Sequence, residues 1–388
     1  MTIKEVKVYV VDTKTFRPVV VEVVTDQGIR GLGEGAVGFG VGCHAAAKMA
    51  EELAERFMVG RNPDEILSIW NDFYYDTFWG KGAGAIFYAA ASALEHALWD
   101  IKGQALGVPV WQLLGGKQRE QIPVYANGWS EGKCVTPEDF ARRAEEVVKK
   151  GFDSLKMYPL SQVDPVRHLN KHIKNRNVTK TNFECGVKAV ELVRKTIGPD
   201  RNLLVDVTAE GTTDMMWRFG QAIEAFDIFW YEEAMDAFDV DAYRTIREKV
   251  NIPLATGERL YTRYGFRRLL ESRAVDIVQP DPGTCGGIME AFHIGAAAET
   301  YCARIAPHNC GGPVLTAVSL QLSTCLSNLA IQEIFPFHDP VHYEMVTEAY
   351  EYKIHDGVID VPTAPGLGIH LNHDFMDAFL VGTVKTGI

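Results

Sequence analysis

The chain has 388 residues, 47% of them apolar and 23% charged, with 51 acidic against 39 basic side chains and a formal net charge of −12. That length exceeds what one compact core organises, so two domains are expected, and the acidic balance argues against nucleic acid or an anionic membrane as partner. Charges at Lys4, Glu5 and Lys7 come too early for a signal-peptide core, no run of about 18 apolar residues occurs, and the seven cysteines lack a C-x-x-C pair; a cytoplasmic protein with reduced thiols is expected.

Residues 4–12 and 18–25 alternate like two antiparallel strands, with D-Q-G (26–28) as a turn before I-R-G-L-G-E-G. Helical stretches follow from His44 to about Phe57 and over 63–78. Ile86–Leu106 is Ala-rich and periodic, as a buried helix is, and G-V-P-V-W-Q-L-L-G-G (107–116) then breaks regular structure. These elements predict an α+β capping domain over 1–120.

From Ile122 the pattern changes to strand–helix alternation. Strands are predicted at Ile122–Asn127, Ser154–Tyr158, Leu203–Thr208, Ile228–Glu232, Leu254–Glu258, Ile277–Asp281, Arg304–His308 and Ala330–Glu333. Eight short apolar runs, most separated by helical segments, point to an α/β fold with a TIM-like β/α barrel over 121–340. An open dinucleotide-binding sheet is disfavoured, because no G-x-G-x-x-G opens a helix. The long connection Pro159–Asn182, with its basic run K-H-I-K-N-R-N-V-T-K, reads either as a solvated loop or as a lid or subunit contact. Residues 341–388 return to strand-like, turn-rich sequence that packs back on the N-terminal region.

Three carboxylates stand 26 residues apart: Asp206 in L-L-V-D, Glu232 in F-W-Y-E and Glu258 in L-A-T-G-E. Successive parallel strands bring their C-terminal ends to one mouth, where three acids repel unless a hard divalent cation sits between them. Alone, Asp206 would read as a helix N-cap; the equal spacing makes the set a metal cradle, and alternation favours Glu232 over Glu233 as its member. The other strand ends add acid–base groups. Lys156 and Tyr158 share a face by period 2, Asp281 closes I-V-Q-P-D, His308 lies 27 residues later in I-A-P-H-N, and Glu333 closes the last strand. Asp281 on the neighbouring strand would fix the His308 tautomer and stabilise its protonated form. The set reads as a metal plus bases. The cation would hold a substrate carboxylate, one side chain would remove the adjacent C–H proton, and metal and Lys156 would stabilise the resulting enediolate.

In these residues the chain resembles the enolase superfamily, in its mandelate racemase-like branch, over essentially its whole length. The resemblance implies a (β/α)7β barrel under an N-terminal cap, one Mg2+ per subunit, and a Lys or His base. The stretches F-E-C-G-V-K-A-V-E-L-V-R, A-T-G-E-R-L-Y-T-R and I-A-P-H-N-C-G-G-P-V resemble sugar-acid dehydratases of the galactonate and mannonate type. Those enzymes remove a proton next to a carboxylate and expel the neighbouring hydroxyl, leaving a 2-keto-3-deoxy acid. A hydroxylated carboxylic acid is thus the implied small-molecule partner, with Glu333 supporting the enolate side. Racemisation, epimerisation or cycloisomerisation through the same enolate is the alternative.

Three positions depart from the family pattern: Thr208 stands where those dehydratases carry a His, Tyr158 where the racemase branch often has a second Lys, and Ala234 where Glu-Glu-Pro is usual. A hydroxyl at 208 suits substrate binding but is a poor acid–base, so His308 would serve both steps or share them with Tyr158 or Lys156. By the same resemblance G-E-G-A-V-G-F-G-V-G (33–42) forms a mobile lid, and Tyr75, Phe78 and Trp79 either pack a sugar face or form the core of the cap. Apolar cap surface makes a homo-oligomer the expected assembly.

Overall fold

The structure, a computed structural model, describes residues 1–386 except 15, 131, 161, 164–169 and 172–177. It opens with three antiparallel strands, β1 (Ile3–Val10), β2 (Val19–Thr25) and β3 (Arg30–Gly35). Helices α1 (Cys43–Phe57), α2 (Ile66–Tyr75), the 22-residue α3 (Ala85–Leu106) and the single turn α4 (Val110–Leu113) follow. Valine dominates the first two strands because β-branched side chains fit a pleated, half-buried surface.

β3 obeys a different rule. Its glycines at 31, 33 and 35 share one face by period 2, and α3 lies so close to that face that a Cβ on Gly33 would sit 1.8 Å from the Ala93 carbonyl oxygen. Leu32 and Glu34 therefore point the other way. The segment after the D-Q-G turn is thus a paired third strand, which takes in the first three residues of the expected lid, as far as Gly35, and its glycines serve close packing. Beyond it Phe39 and Val41 are exposed.

The second layer begins with β4 (Gln121–Ala126), α5 (Pro137–Lys149) and β5 (Ser154–Met157), followed by the two-residue strands β6 (Gln162–Val163) and β7 (Asn170–Lys171). It continues through α6 (Lys180–Ile197), β8 (Asn202–Asp206), α7 (Thr213–Ile223), β9 (Ile228–Glu232), α8 (Val240–Arg247), β10 (Leu254–Thr256) and α9 (Thr262–Ser272). It ends with β11 (Ile277–Val278), α10 (Ile288–Thr300), β12 (Arg304–Ile305), α11 (Pro313–Cys325) and β13 (Gln332–Ile334). The sheet runs β12-β11-β10-β9-β8-β5-β4-β13 with parallel pairs throughout this path. A parallel bridge between Ile305 and Leu329, with Ala330 N–H donating to the Ile305 carbonyl at 2.8 Å, carries β12 round to the segment before β13. Eight parallel strands and seven intervening helices thus make a (β/α)7β barrel. Most of the basic connection before α6 lies outside the described residues.

The C-terminal segment ties the two layers. β14 (Val358–Asp360) pairs antiparallel with β4, and after the short helix α12 (His373–Met376), β15 (Leu380–Lys385) pairs antiparallel with β1.

Three buried acids of the N-terminal layer complete the seam, and among the described residues none has a cationic side chain as hydrogen-bond partner. Glu34 accepts from the N–H groups of Gly312 and Leu315, the latter at 2.9 Å. Glu95 accepts from Ile288 and Met289 N–H at 2.9 and 3.0 Å. Asp100 accepts from Leu32 and Leu367 N–H at 2.9 and 2.8 Å. The first two thereby satisfy orphan donors at the starts of α11 and α10. Among the described residues, no helix is long and apolar enough to cross a membrane.

Candidate active site

The barrel register sets the first two acids side by side, because β8 and β9 pair Asp206 directly with Glu232. Both are buried. Asp206 accepts the Thr208 N–H at 2.8 Å through Oδ1. Glu232 accepts Lys156 Nζ at 2.6 Å through Oε1 and Trp230 Nε1 at 2.8 Å through Oε2. Glu233 turns outward instead, onto Thr256 and Arg259.

Glu258 lies two residues past the end of β10, after Gly257 with φ +139°. Asp281 and His308 each lie three residues past their strands. The ladders stop short of these positions because Gly257, Pro280 and Pro307 break them; proline has no N–H to give a neighbouring strand. The expected strand ends at 258, 281 and 308 are corrected accordingly: these side chains stand on the first residues of the βα loops.

Asp206, Glu232 and Glu258 each present an oxygen within 4.8 Å of the others. Burial, and next the charge of Glu232, push the Asp206 carboxyl well above the usual carboxylate range. Lys156 is completely buried in their midst, 2.6 Å from Glu232, 2.9 Å from Glu333 and 3.5 Å from Asp206. One ammonium does not balance that many acids. A small hard dication does, and three carboxylate oxygens leave part of an octahedral Mg2+ shell for water or substrate. The donor set fits such an ion.

His308 sits at the rim of this cluster with a side chain 13% exposed. Its Nδ1 meets Asp281 Oδ2 at 2.7 Å, while Asp281 Oδ1 accepts the Gly283 N–H at 2.7 Å. Its Nε2 faces Glu258 at 3.2 Å and Glu333 at 3.9 Å. Burial alone would lower the His308 pKa, but its neighbours hold it well above the ordinary histidine value. Cys310 attracts the imidazolium only as a thiolate, and burial pushes that thiol up to about 12. At neutral pH the lift therefore comes from Glu333, Glu258 and Asp281.

Glu333 stays ionised despite burial, drawn down to about 2 by Lys156 and His308. Asn127 at the end of β4 ties it in: Nδ2 lies 2.7 Å from Glu333 Oε1 and 2.9 Å from Tyr158 Oη. Sequence reading passed over Asn127, whose only local signal is its place just past a strand end.

Thr208 has φ +47°, and its buried hydroxyl has no hydrogen-bond partner among the described residues. The cap aromatics stand at the surface. Tyr75, Phe78 and Trp79 are 51%, 78% and 74% exposed. Tyr75 contacts Tyr74, Lys81 and Tyr264, and Phe78 stacks edge-on with Trp79. They also form no core, because the α2 side chains that pack inward are Ile66, Ile69 and Phe73.

Residues 139–375 match the enolase C-terminal domain-like family, and residues 2–115 match the mandelate racemase/muconate lactonizing enzyme N-terminal domain. The chain is 32% identical over 368 residues to the D-gluconate/D-galactonate dehydratase of Picrophilus torridus, covering 93% of this chain and 88% of the relative. It is 30% identical over 325 residues to the D-gluconate dehydratase of Thermoproteus tenax, covering 84% of this chain but only 62% of that longer protein. The D-galactarolactone cycloisomerase of Agrobacterium fabrum is 30% identical over 375 residues, with 93% of this chain and 90% of the relative covered. Among solved structures, a protein of Mesorhizobium loti provisionally called a dehydratase superposes with TM-score 0.95 at 40% identity, over 99% of this chain and 100% of that one. The chain belongs to the enolase superfamily of enzymes, in its mandelate racemase/muconate lactonizing group.

Proposed function

We propose that this protein is a Mg2+-dependent lyase that dehydrates a sugar acid to a 2-keto-3-deoxy acid. The observation that carries the reading is the convergence of Asp206, Glu232 and Glu258 beside a His308–Asp281 pair in one barrel mouth. A cation bound by the three acids would supply positive charge to the substrate carboxylate as its α proton leaves.

The chain's own groups account for the proton. With Nδ1 engaged by Asp281, His308 offers Nε2 as general base toward the cluster. The imidazolium so formed is stabilised by Asp281 and Glu333, and it is placed to return the proton to the departing hydroxyl. Lys156, fixed by Glu232 and Glu333, supplies a permanent positive charge beside the developing enediolate. The Thr208 hydroxyl, buried and without a hydrogen-bond partner among the described residues, suits a substrate hydroxyl or carboxylate oxygen.

The names of the dehydratase relatives support water loss. The cycloisomerase relative supports a second reading, in which Tyr158 or Lys156 returns a proton on the other face and no water leaves. The test is a sugar-acid library incubated with protein and Mg2+ in D2O, followed by mass spectrometry and proton NMR. Loss of one water from a member establishes the dehydratase and its substrate. Deuterium uptake without water loss selects the isomerase, and inertness of the whole library rejects both.

A further inference from the structure

A helix is ordinarily capped by the residue just before it. Before α11 that residue is Gly312, which has no side chain, and no cap bond comes from it. The cap comes instead from Glu34 on β3, 278 residues away in sequence. Its two oxygens take the N–H groups of Gly312 and Leu315, so the carboxylate straddles the junction between the His308 loop and α11. Glycine at 311 and 312 makes room for it: a Cβ at either position would come within 3.0 Å of a Glu34 oxygen.

The other end of the same loop is held from the barrel. His308 N–H donates to the Pro280 carbonyl at 3.1 Å, and Asn309 N–H to Glu333 Oε2 at 2.8 Å. The Asp281 loop is registered against the same strand end. Ala36 N–H donates to the Gly283 carbonyl at 3.0 Å, and His96 Nε2 lies 3.0 Å from the Pro282 carbonyl. A Cβ on Gly283 would lie 2.7 Å from the Ala36 Cβ, so this approach also requires glycine.

We infer that Glu34 is a positioning residue for the His308–Asp281 pair, setting through the Gly311–Gly312 hinge where the base stands relative to the metal carboxylates. The inference rests on His308 being the base. It makes seating of the N-terminal layer a condition for proton transfer, over and above any part that layer takes in covering the substrate. A misplacement of about 1 Å at the reacting atoms costs up to roughly 100-fold in rate.

The test compares Glu34→Gln with Asp100→Asn in the full chain above pH 8, where both carboxyls are ionised. Glutamine keeps one acceptor and turns an NH2 toward the second N–H. Asp100→Asn makes the same kind of lesion at Leu32 and Leu367, away from both catalytic loops. The expected result is a kcat lower by on the order of 10- to 100-fold in Glu34→Gln with KM little changed, and a kcat close to wild type in Asp100→Asn. The 15N signals of the His308 ring, assigned by their loss in His308→Gln, should shift in the first variant and not in the second. Equal loss of kcat in both, or a fall in thermal midpoint alone in Glu34→Gln, overturns the proposal. Should Glu34→Gln fail to fold, Glu34→Asp, which keeps the charge and shortens the reach, enters the same comparison. If the wild-type protein turns over no sugar acid, the proposed activity fails, and the ring signals alone decide the role of Glu34.

Discussion

Replacing Asp281 by asparagine should cost far more than the loss of one charge. The aspartate uses its oxygens in two directions, Oδ1 on the Gly283 N–H and Oδ2 on His308 Nδ1, each at 2.7 Å. An amide has only one oxygen. The Gly283 N–H is a fixed donor, so the oxygen stays there and the NH2 turns to His308. Nδ1 must then accept, and the ring proton moves to Nε2, the nitrogen that faces the cluster. The base is blocked by its own proton. The equivalent change in a Ser-His-Asp hydrolase lowers kcat about 10⁴-fold, or roughly 5 kcal/mol of barrier. A loss of about 10³- to 10⁴-fold in kcat is expected here, with the fold intact because the amide is isosteric. The assay is formation of 2-keto acid, with deuterium exchange at the α carbon as a second reading of proton abstraction. In the wild type the base must be neutral, and Glu333 and Asp281 raise its pKa while a cation on Glu258 would remove that anion's share, so activity should climb with pH as His308 loses its proton. The variant loses one of those anions, and any residual activity should climb at lower pH. A loss of less than tenfold would sink the tautomer argument and with it the assignment of His308 as base.

Glu232→Gln should abolish Mg2+-dependent turnover and weaken Mg2+ binding in calorimetry with little change in fold; full activity in that variant removes the metal cradle from the reading. Thr208 is β-branched at φ +47°, a conformation that asparagine tolerates better. Thr208→Asn should therefore raise stability by about 1 kcal/mol in denaturant titration while slowing turnover, and an unchanged midpoint contradicts the idea that strain is held there for function. The Glu34 carboxyl is raised to about 8, first by burial and with Glu351 and Asp281 nearby. Its folded value lies above the unfolded value of about 4, so its contribution is full below that and is lost as pH rises toward 8. The thermal midpoint of wild type relative to Glu34→Gln should fall over that window, with the other titrating groups cancelling between the two proteins. A relative midpoint that rises with pH contradicts the burial argument.

The eight barrel strands were legible because each is a short apolar run that stops where the chain turns to polar loop, and the 26-residue spacing of Asp206, Glu232 and Glu258 reports one βα unit per acid. The strand ends were less legible at 258, 281 and 308. There Gly257, Pro280 and Pro307 end the ladder before the functional side chain, and the apolar run does not register that. β3 was hidden because its glycines carry no β-propensity and make sense only against α3, which lies more than 50 residues later. Asn127 and Glu34 were invisible for a related reason: their partners lie 206 and 278 residues away, and nothing local marks them. The aromatic run at 75–79 reads from composition either as a sugar platform or as cap core; its rings stand in solvent or against Tyr264 and Lys81, which decides against the core.

Glu34 and Glu95 grip main chain, not side chains, in the barrel they face. Peptide N–H groups are the same whatever residue carries them. The grip thus asks for no particular side chain at the donating residues, only for glycine at 287, 311 and 312, where a Cβ would crowd the acid, while Glu34 and Glu95 have no such latitude. In a chimera that joins this N-terminal layer to the barrel of a relative, docking would be decided by where α10 and α11 begin, to within about one residue's rise of 1.5 Å.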